Sequence, residues 1–206
     1  MTDVAEPRLP SLPIEQWSDE ARAALRSAFP ASVADRFLSG APDAPHVPNA
    51  IGTFMYHPRL AGPFLTYNAT LLADPALGHR ARELLVLRVA ARTSSTYEWE
   101  QHVRLAPRYG VTDEEIDAIA GRAAAHEWGM LDADLLVAAD QLVDHYRVDD
   151  DTWQRLAAGL DARQLVELLF VVGTYTCLAM AFNSLGLELD PDLQTSATAG
   201  RKVPEE

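Results

Sequence analysis

Four side chains with acid–base capacity fall within one short stretch of this chain: Glu83, Ser95, Glu98 and His102. Ser95, Glu98 and His102 are spaced i, i+3 and i+7, which places all three on one face of a helix. Glu98 and His102, four apart, can hydrogen-bond, so a carboxylate would set the tautomer of an imidazole suited to moving protons near neutral pH. The same spacing also describes an ordinary surface pair of little energetic weight, although the flanking Tyr97, Trp99 and Val103 argue against a wet surface. Glu83 lies on an apolar line with Val86, Leu87 and Ala90, where a carboxylate is costly unless paired or protonated. Two readings stay open for it: a buried strut paired with an arginine such as Arg88 or Arg92, or an acid–base group whose pKa burial raises. Arg82 and Arg88 can occupy more polar faces of the same helix. On the second reading Glu83 titrates high, while Glu98 is held lower beside the imidazolium. That separation keeps one acid and one base together near neutrality.

Two helices must position these groups. Gly78 and the polar Thr93-Ser94-Ser95 turn bound a helix over residues 79–92, and Ser95 offers an N-cap for the next, over 96–109, which Gly110 ends as a left-handed residue. A turn this tight makes the two helices antiparallel, so Glu83 and His102 sit near adjoining ends and can share a cleft with Ser95 and Glu98. Helices are also expected over 49–56 and 58–73, the latter with Pro58 in its first turn. Thr112-Asp113-Glu114-Glu115 reads as a capping box. Further helices begin at Asp132 or Asp134 and run to Tyr146, cover 152–160 after caps at 149–151, and run from an Asp161 cap to near Gly186. No segment alternates as a strand would, so the expected class is all-α.

Residues 1–48 read as an arm with one short helix, over 14–29, on which Trp17, Ala21, Ala24, Leu25 and Ala28 keep helical spacing. Pro42, Pro45 and Pro48 then exclude regular structure. A domain over 49–189 and a loose polar tail over 190–206 complete the division. Acidic residues number 30 against 17 basic ones, a net charge of −13. Such a chain repels a phosphate backbone, so no nucleic acid is expected as a partner. The single cysteine, Cys177, can form neither an internal disulfide nor a CxxC pair, and burial in an apolar helix would make it inert. The apolar run from Leu168 to Phe182 falls short of the roughly 20 residues a membrane span needs, so it reads as a buried central helix and no membrane is expected. The polar, proline-bearing N-terminus is unlike a signal peptide, which makes cytoplasmic residence the default. The histidines show no metal-ligand spacing with one another and HExxH is absent, so no metal site is expected.

The string from Arg82 to Arg92 (RELLVLRVAAR), then Tyr97-Glu98-Trp99-Glu100-Gln101-His102, then Gly110-Val111-Thr112-Asp113-Glu114-Glu115-Ile116, resembles the carboxymuconolactone decarboxylase family, which shares its helical fold with alkylhydroperoxidase D. The likeness is clearest over 49–120 and continues through Val172-Gly173-Thr174-Tyr175 and Asn183. The peroxidase branch of that family uses Glu, Cys, Cys and His as a proton relay; those places here are held by Glu83, Ser95, Glu98 and His102. A serine and a glutamate supply neither the nucleophilic nor the resolving thiol of disulfide chemistry, which disfavours peroxidase activity.

What the resemblance then implies is the decarboxylase branch: cofactor-independent acid–base chemistry on a small lactone or carbonyl acid. Decarboxylation beside a carbonyl leaves a dienolate whose charge must be stabilised and whose carbon must be protonated. His102 would donate the proton, with Glu98 as its orienting partner and Glu83 as a second acid or base. Ser95, Arg88 and Arg92 would hold the substrate, the guanidinium groups gripping a carboxylate bidentately. The family also implies a homo-oligomer, a trimer or hexamer. The competing expectation is a non-catalytic helical oligomer that binds a small acid or a partner protein.

Overall fold

A computed structural model describes residues 6–41, 43–121 and 126–194, and among them every regular element is helical. The helices are α1 (Asp19–Ala28), α2 (Ala31–Leu38), α3 (Asn49–Phe54), α4 (Pro58–Ala73), α5 (His79–Arg92), α6 (Thr96–Leu105), α7 (Asp113–Ile119), α8 (Met130–His145), α9 (Asp150–Gly159), α10 (Ala162–Leu185) and α11 (Pro191–Gln194). Contacts divide the chain into two compact units, one of residues 1–73 with 184–190 and one of residues 74–183 with 191–206.

The first unit is more than an arm. Helix α1 buries Ala21, Ala24 and Leu25, an i, i+3, i+4 stripe, and together with Trp17, Ala34, Ile51, Met55, Ala61 and Leu65 they make a core of their own. Small residues bring α1 and α4 close: a Cβ on Gly62 would stand 3.5 Å from Ala24. The helix expected from residue 14 starts later, because the Ser18 hydroxyl accepts from the Ala21 amide at 3.1 Å and so sets the N-terminus at Asp19. Trp17 is then extended, its indole N–H donating to Leu12 O at 2.9 Å. A second helix, α2, lies in the stretch expected to hold one short helix, and the contact boundary falls after Ala73. Residues 190–194 of the expected loose tail are ordered. The buried Asp190 carboxylate accepts from the Asn49 amide at 2.7 Å within this unit. In the other unit Leu193 of α11 is buried; residues 195–206 lie outside the described ones.

The second unit is built on α5. Eight of its residues are buried, among them Leu84, Leu85, Val86, Leu87, Val89 and Ala90. Leu84, Leu87 and Ala90 pack with Trp99, Ala106, Val111, Ile116, Ile119 and Leu136 from the surrounding elements. Helix α6 ends at Leu105 and passes into a tighter turn, Ala106–Tyr109, which Gly110 closes at φ 80°. The capping box before α7 is present: Thr112 Oγ1 accepts from the Glu115 amide at 3.2 Å, and Glu115 accepts from the Thr112 amide at 2.8 Å. Helix α8 begins at Met130, before the aspartates expected to start it. Asp161 and Gln164 cap α10 reciprocally at 2.9 Å.

Helix α10 differs from the buried central helix expected of it. One face packs inward through Leu165, Leu168, Val172, Tyr175 and Phe182, while Val166, Phe170 and Met180 turn outward. At 24 residues it is long and apolar enough to cross a bilayer by length and composition, longer than its apolar run alone suggested. Cys177 lies on the outward side and is exposed, so burial does not shield it as expected.

Candidate active site

The α5–α6 hairpin brings Glu83 and His102 into contact. His102 Nδ1–H donates to Glu83 Oε2 at 2.7 Å, across 19 residues of sequence. The other carboxylate oxygen, Oε1, accepts from Arg82 Nη2 at 2.5 Å and Nε at 3.1 Å. Glu83 is fully buried and Arg82 nearly so. Burial alone would push the Glu83 pKa up, but the His102 and Arg82 bonds and charges outweigh it and hold the carboxyl below its ordinary 4.5. Glu83 is therefore an ionised bridge between a guanidinium and an imidazole, which reverses the high pKa expected of it.

Arg82 was expected on a more polar face, and its role was not foreseen. Its guanidinium lies 5.3 Å from the centre of the Tyr109 ring, and Nη1 meets His79 Nδ1 at 3.2 Å. His79 in turn stacks on Tyr109 at 4.6 Å. The start of α5 and the turn that ends at Tyr109 thus clamp the cation that fixes Glu83.

Glu98 does not orient His102 as expected, because the imidazole turns across the hairpin to the ionised Glu83 instead of along its own helix. Both Glu98 oxygens are buried with no hydrogen-bond partner among the described residues, and the Ser95 hydroxyl is in the same state. Burial pushes the Glu98 carboxyl up to about 8, against a smaller opposing pull from the Ser95 hydroxyl. Glu98 is therefore the neutral acid of the pair. Ser95 stands at the N-cap position of α6, but its hydroxyl makes no capping bond.

A second residue not foreseen as part of the site comes from α10. The Tyr175 ring meets the His102 ring edge-on at 5.2 Å, and the tyrosine is buried. Burial, then the fields of Glu83 and Glu98, raise its phenol pKa above the ordinary value, so the hydroxyl keeps its proton. One sequence signal for it existed, a phenol in the otherwise apolar middle of α10.

Arg88 and Arg92 are not brought to this cluster. They follow Glu83 by five and nine residues, about 140° and 180° around the helix. Arg88 grips Asp140 of α8 at 2.7 Å through both Nε and Nη2 and donates to Ile119 O at 3.1 Å. Arg92 bonds both Asp144 oxygens at 2.8 Å. The structural pairing left open for Glu83 is thus made with Arg82, while Arg88 and Arg92 tie α5 to α8.

The arrangement supplies an imidazole with Nδ1 fixed by a carboxylate, leaving Nε2 to exchange a proton, beside a carboxylic acid that keeps its own proton at neutral pH. Residues 58–140, which contain all of these groups except Tyr175, match the model of the Carboxymuconolactone decarboxylase family. No curated protein matches the chain. Among solved structures, an uncharacterized peroxidase-related protein from Silicibacter sp. TM1040 is similar with a TM-score of 0.71 at 14% identity, covering 94% of this chain and 97% of that one. An uncharacterized peroxidase-related protein with an alkylhydroperoxidase AhpD core, from Ralstonia eutropha JMP134, gives 0.69 at 19% identity over 98% and 100%. A variant of the debrominase Bmp8 in complex with 2,3,4-tribromopyrrole gives 0.67 at 13% identity over 96% and 99%. At these identities the likeness to the three structures is one of fold. Together with the family match over the hairpin that holds Glu83, Glu98 and His102, it gives this chain an alkylhydroperoxidase D-like helical fold whose residues 58–140 are similar to the carboxymuconolactone decarboxylase family.

Proposed function

We propose that this protein is a cofactor-independent acid–base enzyme of the carboxymuconolactone decarboxylase type, acting on a small lactone or carbonyl acid by decarboxylation or a related proton-transfer step. The observation that carries this reading is the 2.7 Å bond from His102 Nδ1 to a Glu83 carboxylate that Arg82 keeps ionised. It fixes the imidazole so that Nε2 can take or return a proton at carbon, while Glu83 stabilises the imidazolium that forms. Glu98, neutral up to about pH 8, is the second proton donor. The roles of the two carboxylates are thus exchanged relative to those implied by the resemblance alone. Peroxidase chemistry stays disfavoured, since Ser95 and Glu98 hold the places of the relay's two cysteines. We further propose that the enzyme works in the cytoplasm as a homo-oligomer, a trimer or hexamer.

The test is a panel of small keto acids and unsaturated lactones incubated with the protein in deuterated water, followed by NMR for loss of carboxylate or incorporation of deuterium at carbon. Turnover by wild type, lost in His102→Asn, supports the reading; a His102→Asn protein with full turnover sinks it. The outward apolar residues Val166, Phe170 and Met180 of α10 favour a second reading, a non-catalytic oligomer, which a panel with no turned-over compound would support.

A further inference from the structure

Helices α1, α7 and α9 are each capped by a side chain in the ordinary way. Ser18, Thr112 and Asp149 have ψ of 164°, 164° and 163°, and each accepts from an amide in the first turn of its helix. Ser95 occupies the same position before α6 with ψ 90° and makes no such bond. Its own amide is drawn back to Ala90 O at 2.9 Å, and Ser94 before it is left-handed at φ 51°, a conformation uncommon for a residue with a side chain. The turn therefore forgoes a cap and directs the hydroxyl into the interior, next to the Glu98 carboxyl.

Three polar atoms of two adjoining side chains, Ser95 Oγ and both Glu98 oxygens, are consequently buried without a partner among the described residues. Folded proteins rarely leave such groups unmade, and those that persist mark places where a further polar group completes them. Both side chains can donate a hydrogen bond without carrying charge, the serine through its hydroxyl and Glu98 as a carboxylic acid. Neutral donors of this kind receive negative charge that appears on an oxygen during a reaction. Arg82, the buried cation of the site, is already bonded to Glu83.

We propose that Ser95 and Glu98 form the seat for the carbonyl oxygen of an enolisable substrate, both donating to that oxygen as it becomes an enolate. This rests on the acid–base reading above and narrows its substrate class. His102 Nε2 takes the proton from the carbon beside the carbonyl; the C–H electron pair becomes the new C–C double bond, and the carbonyl π pair moves onto oxygen, where the two donors receive it. Return of the proton reverses each movement. Of Ser95, Glu98 and His102, His102 is the least buried, its side chain 9% exposed.

A phenol is a stable planar enol, so 4-fluorophenol is the probe, titrated into the full chain and followed by fluorine NMR. At pH 7 the wild type is expected to bind saturably, and Ser95→Ala and Glu98→Ala to bind about tenfold more weakly. Glu98→Gln, which keeps an uncharged donor of the same shape, should bind within about threefold of wild type. It should also keep its affinity above pH 8, where the wild type loses affinity as Glu98 ionises. Melting curves for each variant establish that it is folded. Absence of saturable binding by wild type, wild-type affinity in Ser95→Ala or Glu98→Ala, or a Glu98→Gln protein as weak as Glu98→Ala would each overturn the proposal. Turnover in His102→Asn judges the enzyme reading separately, so normal turnover there with binding dependent on Ser95 would remove that reading and leave the seat.

Discussion

Glu83 and Glu98 are buried in the same helix hairpin and ionise in opposite directions, Glu83 below the ordinary carboxylate value and Glu98 up at about 8. Depth does not separate them, since both are almost fully enclosed. Company does. Glu83 has a guanidinium on one oxygen and an imidazole on the other, whereas Glu98 has only the Ser95 hydroxyl beside it, a weaker influence than burial. Each unit of pKa separation is worth about 1.4 kcal/mol, so two charged partners decide which carboxylate is the base and which the acid.

The first prediction concerns Glu83. Glu83→Gln removes the charge that pairs Arg82, and a buried guanidinium left without a counter-ion costs about 3–5 kcal/mol. The variant should therefore melt well below wild type as well as lose turnover. Removing the cation too, as Arg82→Met with Glu83→Gln, should recover part of that stability and none of the activity. Chemical denaturation of the two single variants and the double variant measures the coupling. Additive losses would mean that the two residues do not act as a pair.

Arg88 and Arg92 should behave as struts. Arg88→Ala breaks a two-pronged bond to Asp140 and a third to Ile119 O, so a loss of about 1–3 kcal/mol is expected in urea denaturation. Once a turned-over compound is in hand, KM should stay at its wild-type value in the folded fraction. A raised KM with unchanged stability would return Arg88 to the substrate.

Much of this architecture is legible in the chain because its signals are local. Gly78, Gly110, the Thr112–Glu115 box and the Asp161 cap depend on residues within a turn of one another, and the bounds of α4 and α5 follow from Pro58, Gly78 and the Thr93–Ser95 turn. The meeting of Glu83 with His102 is legible for a related reason, since a tight turn between two helices leaves little choice of register. What is not legible is choice among neighbours. Spacing makes Glu98 a candidate partner for His102 on one helix, but it cannot say that a better-ionised carboxylate waits across the hairpin. Adjacent residues on a helix point apart, which argues against an Arg82–Glu83 bond; enclosure by Tyr109 and His79 folds the guanidinium back. The partners of Arg88 and Arg92 lie 52 residues away on α8, beyond any local pattern.

The outward stripe of α10 gives a prediction about assembly. Phe170 is 54% exposed and Met180 61%, on a helix whose opposite face is core. A solvated surface seldom carries large apolar groups in a line, so the wild type should sediment as an oligomer at micromolar concentration. Phe170→Asp should lower the assembly state without unfolding the chain, because more than half of the side chain is exposed. A monomeric wild type would remove this expectation.

The last prediction follows from the sign of the Glu98 shift. Its folded pKa, about 8, lies above the ordinary 4.5, so between those values the folded chain holds a proton that the unfolded chain has released. Stability must then fall as pH rises through that window, and Glu98 contributes no pH dependence below it. Glu83 contributes in the opposite sense, since its lowered pKa gives stability that is present above the ordinary value and lost as the pH falls through its own. The two are separable by substitution. Glu98→Gln has no proton to lose, so its stability relative to wild type should grow from pH 5 to pH 8 by on the order of 4 kcal/mol. It should grow no further above that, where the wild-type carboxyl is already ionised. Urea denaturation of both proteins at a series of pH values reads the difference directly. A gap that stays constant across the window would mean that Glu98 is ionised throughout, and the neutral acid would have to be sought elsewhere in the site.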